Sequence, residues 1–308
     1  MFSQPLAPVP PIKPGSMSKE VYTQSVLITG CGKGGIGHAL ALEFKRRGYD
    51  VFTTLLAHEP REHLVDEGIH AFTADVTKDA DIISLKETIS SETSGSLDVL
   101  VNCAYVEFPL PRVGSRYTMT AIDTQVSEVE KMFAVNVFGP MRMVHIFHPL
   151  LIQAKGTVVN IGSVGGIVPY VYGSSYNATK AALHHWGNTL RVEMKPFDVK
   201  VINVISGEVG TNILKRDQTS LRKLPENSFY RPLEAEFQKH INRTPVTTTA
   251  AEYARSVVSE VVKKKPAAWL WTGARAGEVR FWDTFFPRTF WDWLFSREFG
   301  LDKLRSGT

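Results

Sequence analysis

Short apolar runs rich in β-branched residues recur along the chain, separated by longer segments whose apolar positions follow a helical repeat. Val26–Thr29 reads VLIT, and a glycine-dense loop follows it. His38–Arg47 then predicts a helix, with Ala39, Leu42 and Phe44 as apolar positions and a basic end at Lys45, Arg46 and Arg47. Gly48 is placed to cap it, and Val51–Leu56 predicts a second strand. Further strands are predicted at Ala71–Ala74, Leu97–Asn102, Thr157–Ile161 and Lys200–Ile205. Helices are predicted near Asp79–Ser91, Ser127–Phe147, Tyr176–Met194 and Thr249–Lys264. Strands alternating with helices imply a parallel sheet covered on both faces. The expected fold is α/β, a single doubly wound Rossmann-type domain with a parallel sheet of about seven strands.

Composition narrows the classes. The 308 residues are 43% hydrophobic and 21% charged, which supports a sizeable core and excludes a mostly disordered or collagen-like chain. Two cysteines, Cys31 and Cys103, exclude a disulfide scaffold and are too few for a structural zinc site, so no metal is expected. The net charge of +4 is mild and spread out, which argues against a nucleic-acid partner.

The two ends differ from the middle. Residues 1–20 hold five prolines and predict a flexible tail without the features of a signal peptide. Residues 21–270 are expected to form the main domain, and 271–308 an aromatic extension. Five of the six tryptophans lie at Trp269, Trp271, Trp282, Trp291 and Trp293. Within the segment Val279–Phe295, Pro287 should separate two short helices. Its aromatics, interleaved with Arg280, Asp283, Arg288 and Asp292, fit two roles. One is packing on the domain's own core or closing a homo-oligomer. The other is peripheral contact with a membrane surface. The expected location is cytoplasmic, at the surface of the endoplasmic reticulum or of lipid droplets in the membrane case.

The loop Thr29–Gly37 carries five glycines in nine residues between a predicted strand and a predicted helix. Glycines let backbone N–H groups approach a pyrophosphate, and the helix N-terminus favours its negative charge. Gly30, Lys33, Gly35, Ile36 and Gly37 are therefore candidate dinucleotide contacts. A carboxylate at the end of the second strand would hold the ribose hydroxyls of NAD, and an arginine would pair the 2′-phosphate of NADP. That strand tip carries neither. Glu59 and Arg61 lie just beyond it, and Lys33 sits in the loop itself. The expectation is NADP(H) over NAD(H), on Lys33.

Tyr176 and Lys180 stand four apart on one helical face, and Ser163 ends the fifth predicted strand thirteen residues upstream of Tyr176. A phenol ionises at about pH 10, too high for easy acid–base work near neutrality, and a nearby ammonium favours the phenolate. A serine hydroxyl can hold a carbonyl oxygen while a phenol delivers or removes a proton and hydride moves at the carbon.

Taken together, these pieces resemble the short-chain dehydrogenase/reductase family over about residues 22–215. The matching pieces are the Thr29–Gly37 loop, Asp75-Val76, Asn102, Asn136-Val137-Phe138-Gly139, Ser163, and Tyr176 with Lys180. The resemblance implies a catalytic tetrad of Asn136, Ser163, Tyr176 and Lys180. In it the asparagine keeps a helix kinked and holds a water beside the lysine. The resemblance also implies that Asp75, Val76 and Asn102 serve the adenosine side of the cofactor. By the same match Lys180 would hold the nicotinamide ribose, Thr211 would meet the carboxamide or the pyrophosphate, and Tyr176 and Val209 would be further cofactor contacts. Within the family the chain is most similar to fungal NADPH-dependent 1-acyldihydroxyacetone phosphate reductase-like enzymes.

The chain also departs from the family pattern. Tyr105 replaces the usual glycine after Asn102-Cys103-Ala104, Val106–Ser115 looks inserted, and Ser206 stands where proline is usual. The substrate segment, about residues 207–245, mixes cations such as Arg231 and Arg243 with Glu234 and Glu236. A solvated mixed-charge surface and a phosphate-binding loop are both open for it. The expected function is reduction of an acyl ketone or another hydrophobic carbonyl. The alternatives are a ketoreductase of a fungal secondary-metabolite pathway and a non-redox or scaffold protein on the same fold.

Overall fold

A computed structural model describes residues 23–104, 118–211 and 223–307. The proline-rich tail, Tyr105, Val106–Ser115 and residues 212–222 lie outside the described residues. The strands are β1 (Ser25–Ile28), β2 (Asp50–Leu55), β3 (His70–Thr73), β4 (Val99–Asn102), β5 (Thr157–Ile161), β6 (Lys200–Ser206), β7 (Val209–Gly210), β8 (Thr248–Thr249) and β9 (Trp269–Thr272). Seven of them form one sheet in the order β3-β2-β1-β4-β5-β6-β9, and β7 pairs only with β8. All the pairings are parallel. This is the doubly wound sheet that the alternating pattern predicts.

The strands explain their own burial. Val26 and Ile28 face a core shared with α1 (Ile36–Arg46), while Leu27 between them faces the opposite core. Period-two alternation thus feeds two layers, and near-continuous apolar strands result. Helices α2 (Glu62–Val65), α3 (Asp79–Glu92), α4 (Val126–Phe133), α5 (Gly139–Ala154) and α6 (Ser174–Met194) follow in order. The rest are α7 (Glu234–Ile241), α8 (Ala250–Val261), α9 (Ala276–Phe285) and α10 (Thr289–Glu298). α1 and α8 cover one face through Leu40, Phe44, Tyr253 and Val257. α3, α5 and α6 cover the other through Ile82, Leu85, Phe147 and Leu190.

Two elements differ from the sequence expectation. The helix predicted near Ser127–Phe147 is not continuous: a π-helical segment, Ala134–Phe138, separates α4 from α5 and contains Asn136. A π-turn carries one more residue than an α-turn, and a heptad-like apolar pattern does not reveal it. The seventh strand, β9, was not among the predicted runs. Trp269 and Trp271 belong to it and not to the aromatic extension. Tryptophans in a four-residue run give no period to read.

Across the C-terminal half of the sheet runs a row of buried asparagines. Asn102, Asn160 and Asn203 are register partners on β4, β5 and β6. Asn102 donates to Asn160 Oδ1 at 2.9 Å, and Asn160 donates to Asn203 Oδ1 at 3.2 Å. Asn203 Nδ2 donates to the His184 carbonyl at 2.9 Å and to Asn188 Oδ1 at 3.3 Å, both on α6. Trp269 on β9 donates to the same Asn188 oxygen at 2.7 Å. Helix and sheet meet here at Gly187, where a Cβ would lie 2.2 Å from Asn203 Oδ1.

The aromatic extension divides. Trp291, Phe295 and Phe299 are buried against Tyr170, Tyr172 and Phe237. Phe281, Phe285, Phe286 and Trp293 are exposed. Pro287 does separate two helices, α9 and α10. Among the described residues no helix is long and apolar enough to cross a membrane.

Glycine inside a helix ordinarily costs stability relative to alanine by about 1 kcal/mol. At Gly187 the sign should reverse. Gly187→Ala forces α6 off the asparagine row and should lower stability by about 1–3 kcal/mol, as overpacking does. Thermal or denaturant unfolding measures this. A midpoint equal to or above wild type would mean that the row has room to spare.

Candidate active site

The cofactor side is built at the C-terminal ends of β1, β2 and β4, where the strand order reverses, the usual ligand crevice of such sheets. Thr29 closes the corner: its Oγ accepts the backbone N–H groups of Cys103 and Ala104 at 3.0 and 2.9 Å. Gly30 has φ +72°, and a Cβ there would meet Ala104 Cα at 2.6 Å. A Cβ on Gly37 would meet the Gly30 carbonyl oxygen at 2.4 Å. These two glycines are thus fixed by packing. Gly35 is the N-cap of α1, with no side-chain cap, and α1 has no acidic residue in its first turn. That leaves the start of α1, at Ile36 and Gly37, without a side-chain cap, which fits a pyrophosphate.

Several titratable groups lie around this loop. Lys33 is exposed. His38 accepts the Gly34 N–H and packs edge-on to His63, with ring centroids 4.7 Å apart. Burial, followed by repulsion from His63 and Lys33, lowers the pKa of His38. Glu59 folds back: its Oε2 accepts the Leu56 N–H at 2.7 Å, and its Oε1 would touch a Cβ on Gly32 at 2.6 Å. The sequence places Glu59 beyond the strand tip, and only this return brings its carboxylate to the glycine loop. Arg61 donates to Thr73 Oγ1 at 2.8 Å.

Asp75 follows β3 and accepts the Thr77 N–H and hydroxyl on Oδ1. Val76 is buried against Gly139 at the start of α5. Asn102 is buried, and its Oδ1 has no protein donor among the described residues. Val209 and Thr211 lie at and just after β7, both buried. The thiols of Cys31 and Cys103 are raised by burial, Cys103 to about 12. Both therefore stay protonated near neutrality.

The four residues expected to act together are brought to one place by α6, β5 and the π-segment. Lys180 is buried, donates to the Ile161 carbonyl at 2.9 Å, and sits 5.7 Å from the Tyr176 ring centroid. Ser163 leaves β5 in extended conformation, and its Oγ accepts the Gly165 N–H at 3.0 Å. Asn136 Nδ2 donates to Thr179 Oγ1 at 3.1 Å, and Thr179 in turn donates to the Tyr176 carbonyl at 2.8 Å. Asn136 Oδ1 is buried without a protein donor among the described residues. Such an arrangement offers a phenol, an adjacent cation, a hydroxyl and a spare amide oxygen at the mouth of a dinucleotide crevice.

Ser206, where proline is usual in the resembling family, hydrogen-bonds the buried Tyr253 hydroxyl at 2.5 Å. A proline could not make that bond. On the substrate side, two of the described cations are paired: Arg231 with Glu234, and Arg243 with Glu208. That fits the mixed-charge reading of the segment.

The family model for short chain dehydrogenase matches residues 24–221. The chain is 68% identical over 273 residues to the short-chain dehydrogenase anuB of Penicillium roqueforti, covering 89% of this chain and 91% of that protein. It is 36% identical over 272 residues to the NADPH-dependent 1-acyldihydroxyacetone phosphate reductase of Schizosaccharomyces pombe, covering 82% and 88%. A solved short-chain dehydrogenase from Streptomyces avermitilis superposes with a TM-score of 0.69 at 25% identity, covering 92% of this chain and 98% of that one. With the family model matching residues 24–221, relatives identical at 36% and 68% over most of their length, and the doubly wound sheet shared with a solved short-chain dehydrogenase, the chain belongs to the short-chain dehydrogenase family.

Proposed function

We propose that the protein is an NADP(H)-dependent oxidoreductase acting on a hydrophobic, non-phosphorylated carbonyl or the matching secondary alcohol. The observation that carries the reading is Tyr176 with the buried Lys180 ammonium 5.7 Å from its ring and Ser163 at the end of the adjoining strand. When bound, the nicotinamide supplies or accepts hydride at the substrate carbon. Tyr176 gives its phenolic proton to the substrate oxygen in reduction and takes it back in oxidation. Lys180 provides the positive charge beside that phenol. The Ser163 oxygen already accepts from Gly165, so its own proton is left to hold the substrate oxygen. Asn136, tied to α6 through Thr179, offers its remaining amide oxygen to the solvent path that reprotonates the site.

For the cofactor, Gly30, Gly35, Ile36 and Gly37 hold the pyrophosphate. Asp75, Val76 and Asn102 line the adenosine side, and Val209 and Thr211 the nicotinamide side. Lys33 pairs the 2′-phosphate. The printed name of the Schizosaccharomyces pombe relative, an NADPH-dependent enzyme, supports this choice. One observation favours a second reading, NAD(H): the Glu59 carboxylate against Gly32 is a group that holds ribose hydroxyls and repels a phosphate.

For the substrate, two observations lean away from an acyl phosphate and toward a ketone of a fungal secondary-metabolite kind. The cations Arg231 and Arg243 already have carboxylate partners. The chain is also far more identical to the Penicillium dehydrogenase than to the phosphate-lipid reductase. Tyr170 and Tyr172, in the loop joining Ser163 to Tyr176, pack with Phe237 and Phe299 into an aromatic cluster that supports this loop from behind.

Three measurements test this. Tyr176→Phe should cut turnover by on the order of 10²–10⁴ while leaving cofactor affinity nearly intact. Retention of most activity would sink the mechanism, and the scaffold reading would gain if the wild type itself turned over nothing. Titration with NADPH and NADH, followed by nicotinamide fluorescence, should show tighter NADPH binding and a loss of about tenfold for NADPH alone in Lys33→Ala. Tighter NADH, reversed by Glu59→Gln, would establish the NAD reading instead. A panel setting aromatic and polyketide-like ketones against 1-acyldihydroxyacetone phosphate should favour the former, and a clear preference for the phosphate ester would overturn the substrate class.

A further inference from the structure

Tyr176, Lys180 and His184 stand four apart on one face of α6, so they line up along the helix. The proton chemistry above uses the first two and leaves the third without a task. His184 is buried, and its Nε2 accepts the backbone N–H of Ser163 at 3.2 Å. That bond assigns the tautomer: Nε2 carries the lone pair, so Nδ1 carries the proton. Burial first, and the neighbouring Lys180 charge second, push the pKa of His184 down to about 3, so the acceptor persists at any working pH. Nδ1 is buried with no partner among the described residues. A leucine would fill the same space without stranding a polar N–H, so packing alone does not account for a histidine here.

The surroundings are shaped to the ring. A Cβ on Gly162 would lie 2.1 Å from His184 Nε2, and one on Gly166 would lie 2.7 Å from its Cε1. The glycines on either side of the Ser163 turn thus make room for the imidazole. Trp269 closes the site with its ring centroid 5.7 Å away. The His184 carbonyl accepts Asn203 Nδ2, which ties this turn of α6 to the asparagine row.

Ser163 needs such support. β5 ends at Ile161, and the last strand-to-strand bond beyond it joins the Gly162 N–H to the Val204 carbonyl. The serine itself is outside the ladder, yet its hydroxyl must meet a substrate oxygen at a fixed point. We propose that His184 is a positioning residue whose Nε2 holds the main chain of Ser163 so that the serine hydroxyl faces the substrate carbonyl oxygen. This rests on the reading of Ser163 as the group that holds that oxygen.

The test is a double-mutant cycle in steady-state kinetics, with NADPH affinity and the unfolding midpoint measured for every variant. His184→Leu should lower kcat by about 10- to 100-fold with cofactor affinity unchanged, the scale expected of a misplaced group. His184→Gln, whose side-chain oxygen can accept the same N–H, should recover most of that loss. In a Ser163→Ala background, His184→Leu should cost less than about threefold more, because both changes remove one function. If the His184→Leu loss recurs at full size in that background, the inference is overturned while the Ser163 reading stands. If Ser163→Ala alone keeps wild-type turnover, the Ser163 reading falls and the inference with it. Should His184→Leu not fold, His184→Gln decides: a kcat near wild type supports the role, and a loss as large as that of Ser163→Ala overturns it.

Discussion

Everything at the reacting end of this molecule depends on how closely α6 can lie against the sheet. Tyr176 and Lys180 are useful only if the helix that carries them is held at a fixed height over the ends of β5 and β6. Gly187 permits the approach, since any side chain there would enter the space of Asn203. The asparagine row then fixes it, because its amides bond both along the sheet and up to the His184 carbonyl and Asn188. Buried amides are costly unless satisfied. A row in which each donates to the next meets most of that cost, with Asn102 Oδ1 left without a protein donor among the described residues, and admits a single register. The same helix end receives Trp269 of β9, so the last strand is keyed to it as well.

Polar groups of the main chain do similar work on the cofactor side. Thr29 collects two N–H groups of the turn after β4, and the start of α1 has no side-chain cap. Positive charge is sparse there. The negative charge of a dinucleotide would be met mainly by backbone dipoles, with Lys33 and Glu59 pulling in opposite directions on its ribose end. On the proposed function, selectivity between cofactors would depend on these two side chains, while the pyrophosphate seat would be set by glycines that packing does not allow to change.

Much of this was legible in the sequence, for a physical reason. A parallel sheet buried on both faces needs apolar runs at regular intervals, and Val26–Thr29, Thr157–Ile161 and Lys200–Ile205 stand out as such. Tyr176 and Lys180 are separated by a helical turn, so their proximity follows from local geometry alone. Contacts across strands are a different matter. Asn160 and Asn203 are 43 residues apart, and nothing in either segment signals that they pair. Glu59 was visible only as a carboxylate near the strand tip, because its return to Gly32 is a side-chain choice. His184 read as one more residue of a helix. Its contact lies 21 residues away in sequence, on a turn whose shape is set by glycines.

The aromatic extension packs against the loop between Ser163 and Tyr176. Phe295 and Phe299 pack edge-on against Tyr170, and Phe299 packs likewise against Tyr172. Tyr172 itself holds φ +64°, a strained conformation for a tyrosine that neighbouring rings must stabilise. Those two tyrosines belong to the loop that leaves Ser163 and returns to Tyr176, and Asn177 binds the Tyr170 carbonyl at 3.0 Å. The extension therefore braces this loop from behind, through Tyr170 and Tyr172. On the proposed function, substitutions among its rings would shift that loop, while the asparagine row would keep α6 at its height on the sheet. The sheet and helix α6 would then, on the same proposed function, determine the reaction, and the C-terminal rings would influence which carbonyl enters.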